Sequence, residues 1–158
     1  MCVMFQKIGD VLPANRTPCL QGSVSVSTAM GIMDIYEIDI IGVECEDDFA
    51  GVFSRGDFNR SVIRQNLNPD ETSLYEAMAL NPPHVEVYQS VKETYEAMLA
   101  YQWEYMPVLE GSRLRGIVSM RDLGRDVMKS FEDARSENEL IMNYIHGGES
   151  YAIANYRN

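Results

Sequence analysis

Residues 51–60 read GVFSRGDFNR, and residues 116–125 read GIVSMRDLGR. Gly, Ser, Asp and Arg stand at the same offsets in both stretches, while the apolar letters between them vary. The stretches lie 65 residues apart, which is enough chain for one supersecondary unit and too short for two ordinary domains. A self-match at a fixed spacing predicts that the chain contains two copies of one structural unit.

The match extends well beyond these ten-residue stretches. Residues 26–64 align with residues 91–129 without a gap, and nine of the 39 pairs are identical. The identical pairs are Val26/Val91, Met33/Met98, Tyr36/Tyr101, Val43/Val108, Gly51/Gly116, Ser54/Ser119, Asp57/Asp122, Arg60/Arg125 and Val62/Val127. Because most other apolar positions exchange like for like, we expect both copies to adopt the same fold.

Within each copy the apolar pattern changes from helical spacing to strand spacing. Apolar residues three and four apart predict a helix from Val26 in the first copy and from Val91 in the second. Two short apolar runs around a polar turn then predict a hairpin. The predicted strands are 19–20, 38–43 and 50–53 in the first copy, and 84–87, 106–109 and 115–118 in the second. Helices opened by Ser54 and Ser119 complete two β-α-β-β-α units.

The predicted fold class is α/β (α+β), with the two units packed as a pseudo-twofold pair. One unit of about 60 residues cannot bury both faces of its sheet, so the second copy is expected to cover the first. The pair would occupy residues 1–130, with units at about 8–66 and 72–130. Residues 131–158 would form a C-terminal helix and tail, with the helix ending at Gly147-Gly148.

Composition limits the classes of partner. The 158 residues include 13 basic and 24 acidic side chains, a formal net charge of −11, which disfavours nucleic acid and anionic membranes. The three scattered cysteines indicate neither a disulfide framework nor a zinc site. No apolar run approaches the roughly 18 residues of a membrane span. We therefore expect a soluble, cytoplasmic protein without a metal.

The repeated Ser-x-x-Asp has two interpretations. A serine before a helix and an acid three residues later form a capping box, and the motif would then only fix the helix start. The same helix start also presents free N–H groups and a partial positive charge, which attract phosphate. An outward-facing carboxylate could in addition accept two hydrogen bonds from a ribose. The second interpretation predicts a nucleotide site.

Both stretches resemble a known family. GVFSRGD and GIVSMRD fit the pattern Gly-apolar-x-Ser/Thr-x-x-Asp that closes cystathionine β-synthase (CBS) domains, and MPVLEGSRLRGIVSMRDL is similar to a fuller run of it. The resemblance covers residues 8–130 as a tandem pair, or Bateman module. It implies an adenosine-containing ligand: AMP first, with ADP, ATP, NAD(H) or S-adenosylmethionine as alternatives. It also implies that Asp57 and Asp122 hold ribose hydroxyls, and that Ser54 and Ser119 hold phosphate or ribose.

The two copies do not match the family pattern equally. The first has Gly42 where the second has Pro107, the usual proline, and it lacks the cation that Arg121 supplies beside the acid. Arg55 could replace that cation from one position earlier, so we expect the second site to be the stronger. His84 is either a contact from the pocket wall or a strand-edge histidine without a role. The candidate binding residues are Ser54, Arg55, Asp57, His84, Pro107, Ser119, Arg121 and Asp122.

Three functional hypotheses follow. The first is a non-catalytic regulatory module that binds an adenine nucleotide between the units and signals to a client protein. The second is a ligand-free dimeric scaffold of the same fold, in which the Ser/Asp pairs are only caps. The third, an enzyme, has least support, because the sequence lacks a P-loop, a GxGxxG after a strand and histidine-rich metal spacing. A homodimer is expected under either of the first two.

Overall fold

The computed structural model describes residues 5–13 and 17–154, with side chains described up to residue 145. A short 3-10 helix, Ile8–Asp10, comes first. The first unit consists of β1 Cys19–Gln21, α1 Val26–Ile35, β2 Ile40–Cys45, β3 Asp48–Ser54 and α2 Arg55–Asp57, followed by a π-helix, Phe58–Ile63. The rest consists of α3 Leu74–Ala77, β4 Ala79–Leu80, β5 Val85–Glu86, α4 Val91–Tyr101, β6 Tyr105–Glu110, β7 Arg113–Ser119 and α5 Met120–Ala154.

The described strands form two sheets with the same core topology, which confirms the predicted fold class. In the first sheet β1 pairs parallel with β2, β2 pairs antiparallel with β3, and β4 adds a short edge strand. The second sheet repeats the pattern with β5, β6 and β7. Each hairpin has a register shift, between Val43 and Glu44 and between Val108 and Leu109. These positions are 65 residues apart, so the repeat extends to backbone detail.

The chain exchanges short segments between the two units. Ile8 is fully buried in the core of the second unit, and its N–H donates to the Gln89 carbonyl at 2.7 Å. Leu74 is fully buried in the core of the first unit, and its N–H donates to the Val24 carbonyl at 2.8 Å. The unit limits 8–66 and 72–130 stay a prediction from sequence, because each core takes a segment from the other side.

The repeated glycines make room for these segments. A Cβ on Gly51 would collide with the carbonyl oxygen of Ala79, which lies in the segment that follows α3. A Cβ on Gly116 would lie 3.1 Å from Leu12, in the N-terminal segment. The glycine in the repeated motif is thus explained by close packing of the exchanged segments against β3 and β7.

A third apolar cluster joins the two sheets. Ile40, Val52 and Ile117 form its buried centre. A hydrogen bond from the N–H of Phe49 to the carbonyl of Ser112, 2.8 Å long, links the two hairpins. The absence of a side chain at Gly42 admits Leu114 from the other sheet, since a Cβ there would overlap with Leu114. A proline at this position would bring a Cβ into contact with Leu114 and Cys19 and would lack the N–H that Gly42 donates to the Pro18 carbonyl.

The two helices that follow the motif differ in length. In the first unit, α2 ends at Asp57 and the chain continues as the π-helix to Ile63. In the second unit, α5 is a single helix of 35 residues that continues to Ala154. The predicted helix end at Gly147-Gly148 is therefore wrong, and the last part of the predicted tail, 155–158, lies outside the described residues.

Candidate functional site

Two clefts lie at the places where the repeated motif ends its strand. The Asp122 cleft, about 560 Å³ in volume, is lined by residues 37–40 of the first unit and by Ser119 to Asp122 of the second. The Asp57 cleft, about 420 Å³, is lined by residues 102–105 of the second unit and by Ser54 to Asp57 of the first. Since 37–40 and 102–105 are equivalent in the repeat, each cleft is assembled from both units in the same way.

The carboxylate of Asp57 is fully engaged within its own helix start. Its Oδ2 accepts hydrogen bonds from the N–H of Ser54 at 2.9 Å and from the Ser54 hydroxyl at 2.7 Å. Its Oδ1 accepts from the guanidinium of Arg60 at 2.5 Å. Asp57 is only 6% exposed. A ribose could reach this acid only by displacing Arg60.

The carboxylate of Asp122 is more open. The Ser119 hydroxyl donates to Oδ2 at 2.6 Å and accepts from the Asp122 N–H at 3.0 Å, so the serine also caps this helix. The nearest cation, the Arg125 guanidinium, is 3.8 Å from Oδ1. The Asp122 side chain is 39% exposed. Oδ1 is therefore available to a polar ligand in the cleft.

Arg55 and Arg121, the arginines beside the motif acids, differ in whether they form ion pairs. Arg55 donates from Nε to Asp39 at 3.1 Å and from a terminal nitrogen to Asp34 at 2.8 Å. These partners, Asp34 first, raise the pKa of Arg55. Arg121 is exposed at the rim of the Asp122 cleft and makes no ion pair with the described residues. Its charge is thus available to an anion, whereas that of Arg55 is already paired.

Two predicted site residues lie outside both clefts. His84 is exposed, and its Nδ1 lies 3.2 Å from the carbonyl oxygen of Pro82. Pro107 is buried in β6, where it pairs with Ile117 of β7. Neither is among the described residues that line the Asp122 or Asp57 cleft. A ligand contact by His84 or Pro107 therefore stays a prediction from the sequence.

The wall of each cleft that lies opposite the Ser-x-x-Asp motif was not predicted from the sequence. This wall begins at residues with left-handed backbone, Glu37 with φ of 53° and Gln102 with φ of 54°, which end α1 and α4. Ile38 then lines the Asp122 cleft, whereas Trp103 lines the Asp57 cleft. The signal was present in the sequence, because both turns occupy the same place in the repeat.

A shared partition separates the clefts. Four residues line both of them, namely Asp39, Ile40, Glu104 and Tyr105. Burial raises the pKa of Tyr105, with Asp39 and Glu104 as further causes, so its phenol stays protonated. The Asp122 cleft is therefore lined by more acids than cations. The acids are Glu37, Asp39, Glu104 and Asp122, and the cations are Arg121 and Arg125.

The described residues show little sign of catalytic or metal chemistry. Cys19 and Cys45 are free thiols. Burial, and next a hydrogen bond with Glu44, raises the pKa of Cys19, which disfavours the nucleophilic thiolate. Among the side chains that the structure describes, in residues 5–13 and 17–145, no group of three or more His, Cys, Asp or Glu is placed to hold a metal ion. Within residues 5–13 and 17–154, no helix is both long and apolar enough to cross a membrane.

Comparison with known proteins identifies the second unit. Residues 69–129 match the family model of the CBS domain. A homoserine O-acetyltransferase from Methanocorpusculum labreanum is 30% identical over 73 residues, which are 46% of this chain and 15% of that protein. The chain thus corresponds to a small part of that curated relative.

Solved structures extend the likeness to both units. A protein with CBS domains from Burkholderia ambifaria, named for signal transduction, is 26% identical with a TM-score of 0.70, over 78% of this chain and 95% of that one. A conserved CBS-domain protein of unknown function from Thermoplasma acidophilum has a TM-score of 0.70 at 22% identity, over 82% and 78%. A hexameric CBS-CP12 protein from bloom-forming cyanobacteria has a TM-score of 0.65 at 23% identity, over 76% and 67%.

The fold of paired β-α-β-β-α units with a cleft at each motif is that of a tandem CBS module. The second unit matches the CBS domain over residues 69–129, and the chain as a whole shares the fold of the solved CBS-domain proteins.

Proposed function

We propose that this chain is a non-catalytic regulatory module that binds one adenosine-containing nucleotide in the Asp122 cleft and transmits its occupancy to a client protein. The observation that carries the proposal is the difference between the two acids. Asp57 is closed by Ser54 and Arg60, whereas Asp122 keeps one carboxylate oxygen open to a cleft of about 560 Å³. That volume suits a nucleotide-sized ligand.

The lining of the cleft suggests where each part of the ligand binds. Oδ1 of Asp122 can accept hydrogen bonds from ribose hydroxyls. The N–H groups of Met120 and Asp122 already donate to the Glu104 carbonyl and to the Ser119 hydroxyl, so a phosphate in this cleft would depend mainly on the side chains of Ser119 and Arg121. Arg121 can approach that phosphate without giving up an ion pair with a described residue. Ile38 and Ile117 offer apolar surface to a flat base. Each role uses a residue already at the cleft.

Charge favours a ligand with few phosphates. Glu37, Asp39 and Glu104 line the Asp122 cleft together with only two cations. A triphosphate would add several negative charges near these acids, and like charges at short range disfavour binding. We therefore propose AMP as the preferred ligand, ahead of ADP, ATP and NAD(H). S-adenosylmethionine, with its positive sulfonium, is the alternative that the same acids favour.

A thermal-shift panel of AMP, ADP, ATP, NADH and S-adenosylmethionine tests this proposal. A ligand at 100 times its Kd should stabilise the protein by about 2.7 kcal/mol. We expect AMP to raise the Tm of the parent and of Glu93→Ala, but not that of Asp122→Ala. Glu93 is the matched control because it closes a similar capping box with Ser90, in α4, outside both clefts. Equal shifts in all three proteins would show that Asp122 is only a cap.

The second candidate is a scaffold with empty clefts. The closed state of Asp57 favours it, because all the contacts of that acid serve the helix start and Arg60. A scaffold would show no Tm shift with any of the five ligands and would still self-associate. The hexameric assembly of the CBS-CP12 relative supports a proposal of self-association for this chain as well.

A further inference from the structure

The distal part of α5 exposes an apolar stripe. Every described side chain from Phe131 to Ile145 is exposed. The large apolar residues among them include Phe131 at 64%, Ile141 at 56%, Met142 at 58% and Ile145 at 52% exposure. Helices in water owe most of their stability to packing of an apolar face. Phe131 and Ala134 border a groove shared with Val11 and Leu12, but these contacts leave most of the apolar face exposed to solvent.

The stripe follows a heptad repeat. Spacings of alternately four and three residues relate its members, as in the seam of a coiled coil. The positions in the seam are Val127, Phe131, Ala134, Asn138, Ile141 and Ile145. Phe131, Asn138 and Ile145 occupy the a positions, and the other three occupy the d positions. The acidic residues Glu132 and Glu139 fall at b positions, outside the seam.

We propose that α5 pairs with α5 of a second copy as a parallel two-stranded coiled coil. Identical stripes are self-complementary, which fits a symmetric dimer. Asn138 indicates that the two helices run parallel and not antiparallel. In a parallel pair an a residue faces the same residue of the second copy, so two Asn138 amides can hydrogen-bond to each other. In an antiparallel pair the amide would face an apolar d residue without a partner.

The available surface is that of a small dimer interface. From Val127 to Ile145 the seam is about 27 Å long at 1.5 Å per residue. In the seam, Phe131, Ile141 and Ile145 are each more than half exposed, and so are Met128 and Met142 at the flanking e positions. If each offers about half of the roughly 200 Å² that a large side chain can bury, two copies cover about 1,000 Å². The smaller seam residues bring the total towards the roughly 1,200 Å² at the lower limit of specific interfaces.

The inference is independent of the proposed nucleotide site. The seam begins beyond Asp122 and Arg125, so variants within it leave the lining of the cleft unchanged. A variant that loses nucleotide binding can therefore still dimerise, and a variant that loses the dimer can still bind nucleotide.

Sedimentation equilibrium of the full chain between 5 and about 200 μM, a range suited to a small interface, tests the seam. The parent should be dimeric at the top of this range, and Ile141→Glu should be monomeric throughout. Leu140→Glu is the control, since Leu140 is adjacent and 70% exposed but lies outside the seam. It should dimerise as the parent does.

Asn138→Ile tests the direction of the pair. A polar residue at an a position lowers the stability of a coiled coil, so Asn138→Ile should associate at least about tenfold more tightly than the parent. A monomeric parent, a dimer that survives Ile141→Glu, or equal loss in Leu140→Glu would overturn the seam. Unchanged or weaker association of Asn138→Ile would overturn its parallel register.

Discussion

Replacing Ile8 by alanine should destabilise the second unit, although Ile8 precedes the whole first unit in sequence. Its side chain is fully buried in the cluster that contains Val85, Val91 and Val118. Removing a buried isoleucine to alanine costs about 2–5 kcal/mol, because the lost transfer free energy adds to that of the cavity left behind. Full burial places Ile8→Ala in the middle of this range, near 3 kcal/mol.

Urea unfolding and calorimetry measure this loss directly. For a chain of this size, about 3 kcal/mol corresponds to a fall in Tm of roughly 6–12 °C. Phe5→Ala is the matched control, because Phe5 precedes the same 3-10 helix but is 74% exposed. It should change the free energy of unfolding by less than about 0.5 kcal/mol.

The outcome discriminates between two packing arrangements. If the N-terminal segment completes the second core, Ile8→Ala loses most of the expected free energy while Phe5→Ala does not. A loss of less than about 1 kcal/mol in the free energy of unfolding of Ile8→Ala would refute the exchange of segments, because truncating a fully buried isoleucine destabilises a protein by more than this.

Three further predictions concern other contacts. Gly42→Ala should lower the free energy of unfolding by about 1–3 kcal/mol through overpacking, and adding Leu114→Ala in the same chain should recover part of that loss. If urea unfolding shows that the losses of the two single variants simply add in the double variant, Gly42 and Leu114 are not in contact. Backbone and hydroxyl hydrogen bonds lower the pKa of Glu93, so its stabilising effect is present above the ordinary glutamate pKa and is lost as pH falls through the lowered value. Glu93→Gln should therefore flatten that part of the profile of Tm against pH, and an unchanged acid slope would argue against the cap. Arg60→Ala should free Asp57 and add a second, weaker nucleotide site in calorimetric titration; an unchanged stoichiometry would show that Arg60 does not close that cleft.

The sequence repeat predicted the core architecture because its polar letters mark helix starts and its apolar letters mark strands. Ser54 and Ser119 do cap the helices that they were predicted to open. The exchange of Ile8 and Leu74 was not predictable in the same way, because short segments leave no periodic pattern. Gly42 was noted as a departure from the family, but its contact with Leu114 depends on how the two sheets meet, which sequence alone does not give.

The candidate site was only half predicted. The motif supplied one wall, including Asp122, Ser119 and Arg121, whereas Ile38 and Trp103 on the opposite wall carry no motif. They reach the clefts because left-handed residues turn the chain at the end of α1 and α4. The pairing of Arg55 with Asp34 and Asp39 could not be predicted from the sequence either, since these partners lie 21 and 16 residues away along the chain.

Isothermal titration of AMP into the parent, Asp122→Ala and Asp57→Ala tests the central claim most directly. We expect one AMP per chain for the parent, affinity at least about tenfold weaker in Asp122→Ala, and a change of less than about threefold in Asp57→Ala. Undiminished binding in Asp122→Ala, or equal losses in both variants, would contradict the assignment of the nucleotide to the open acid at the start of α5.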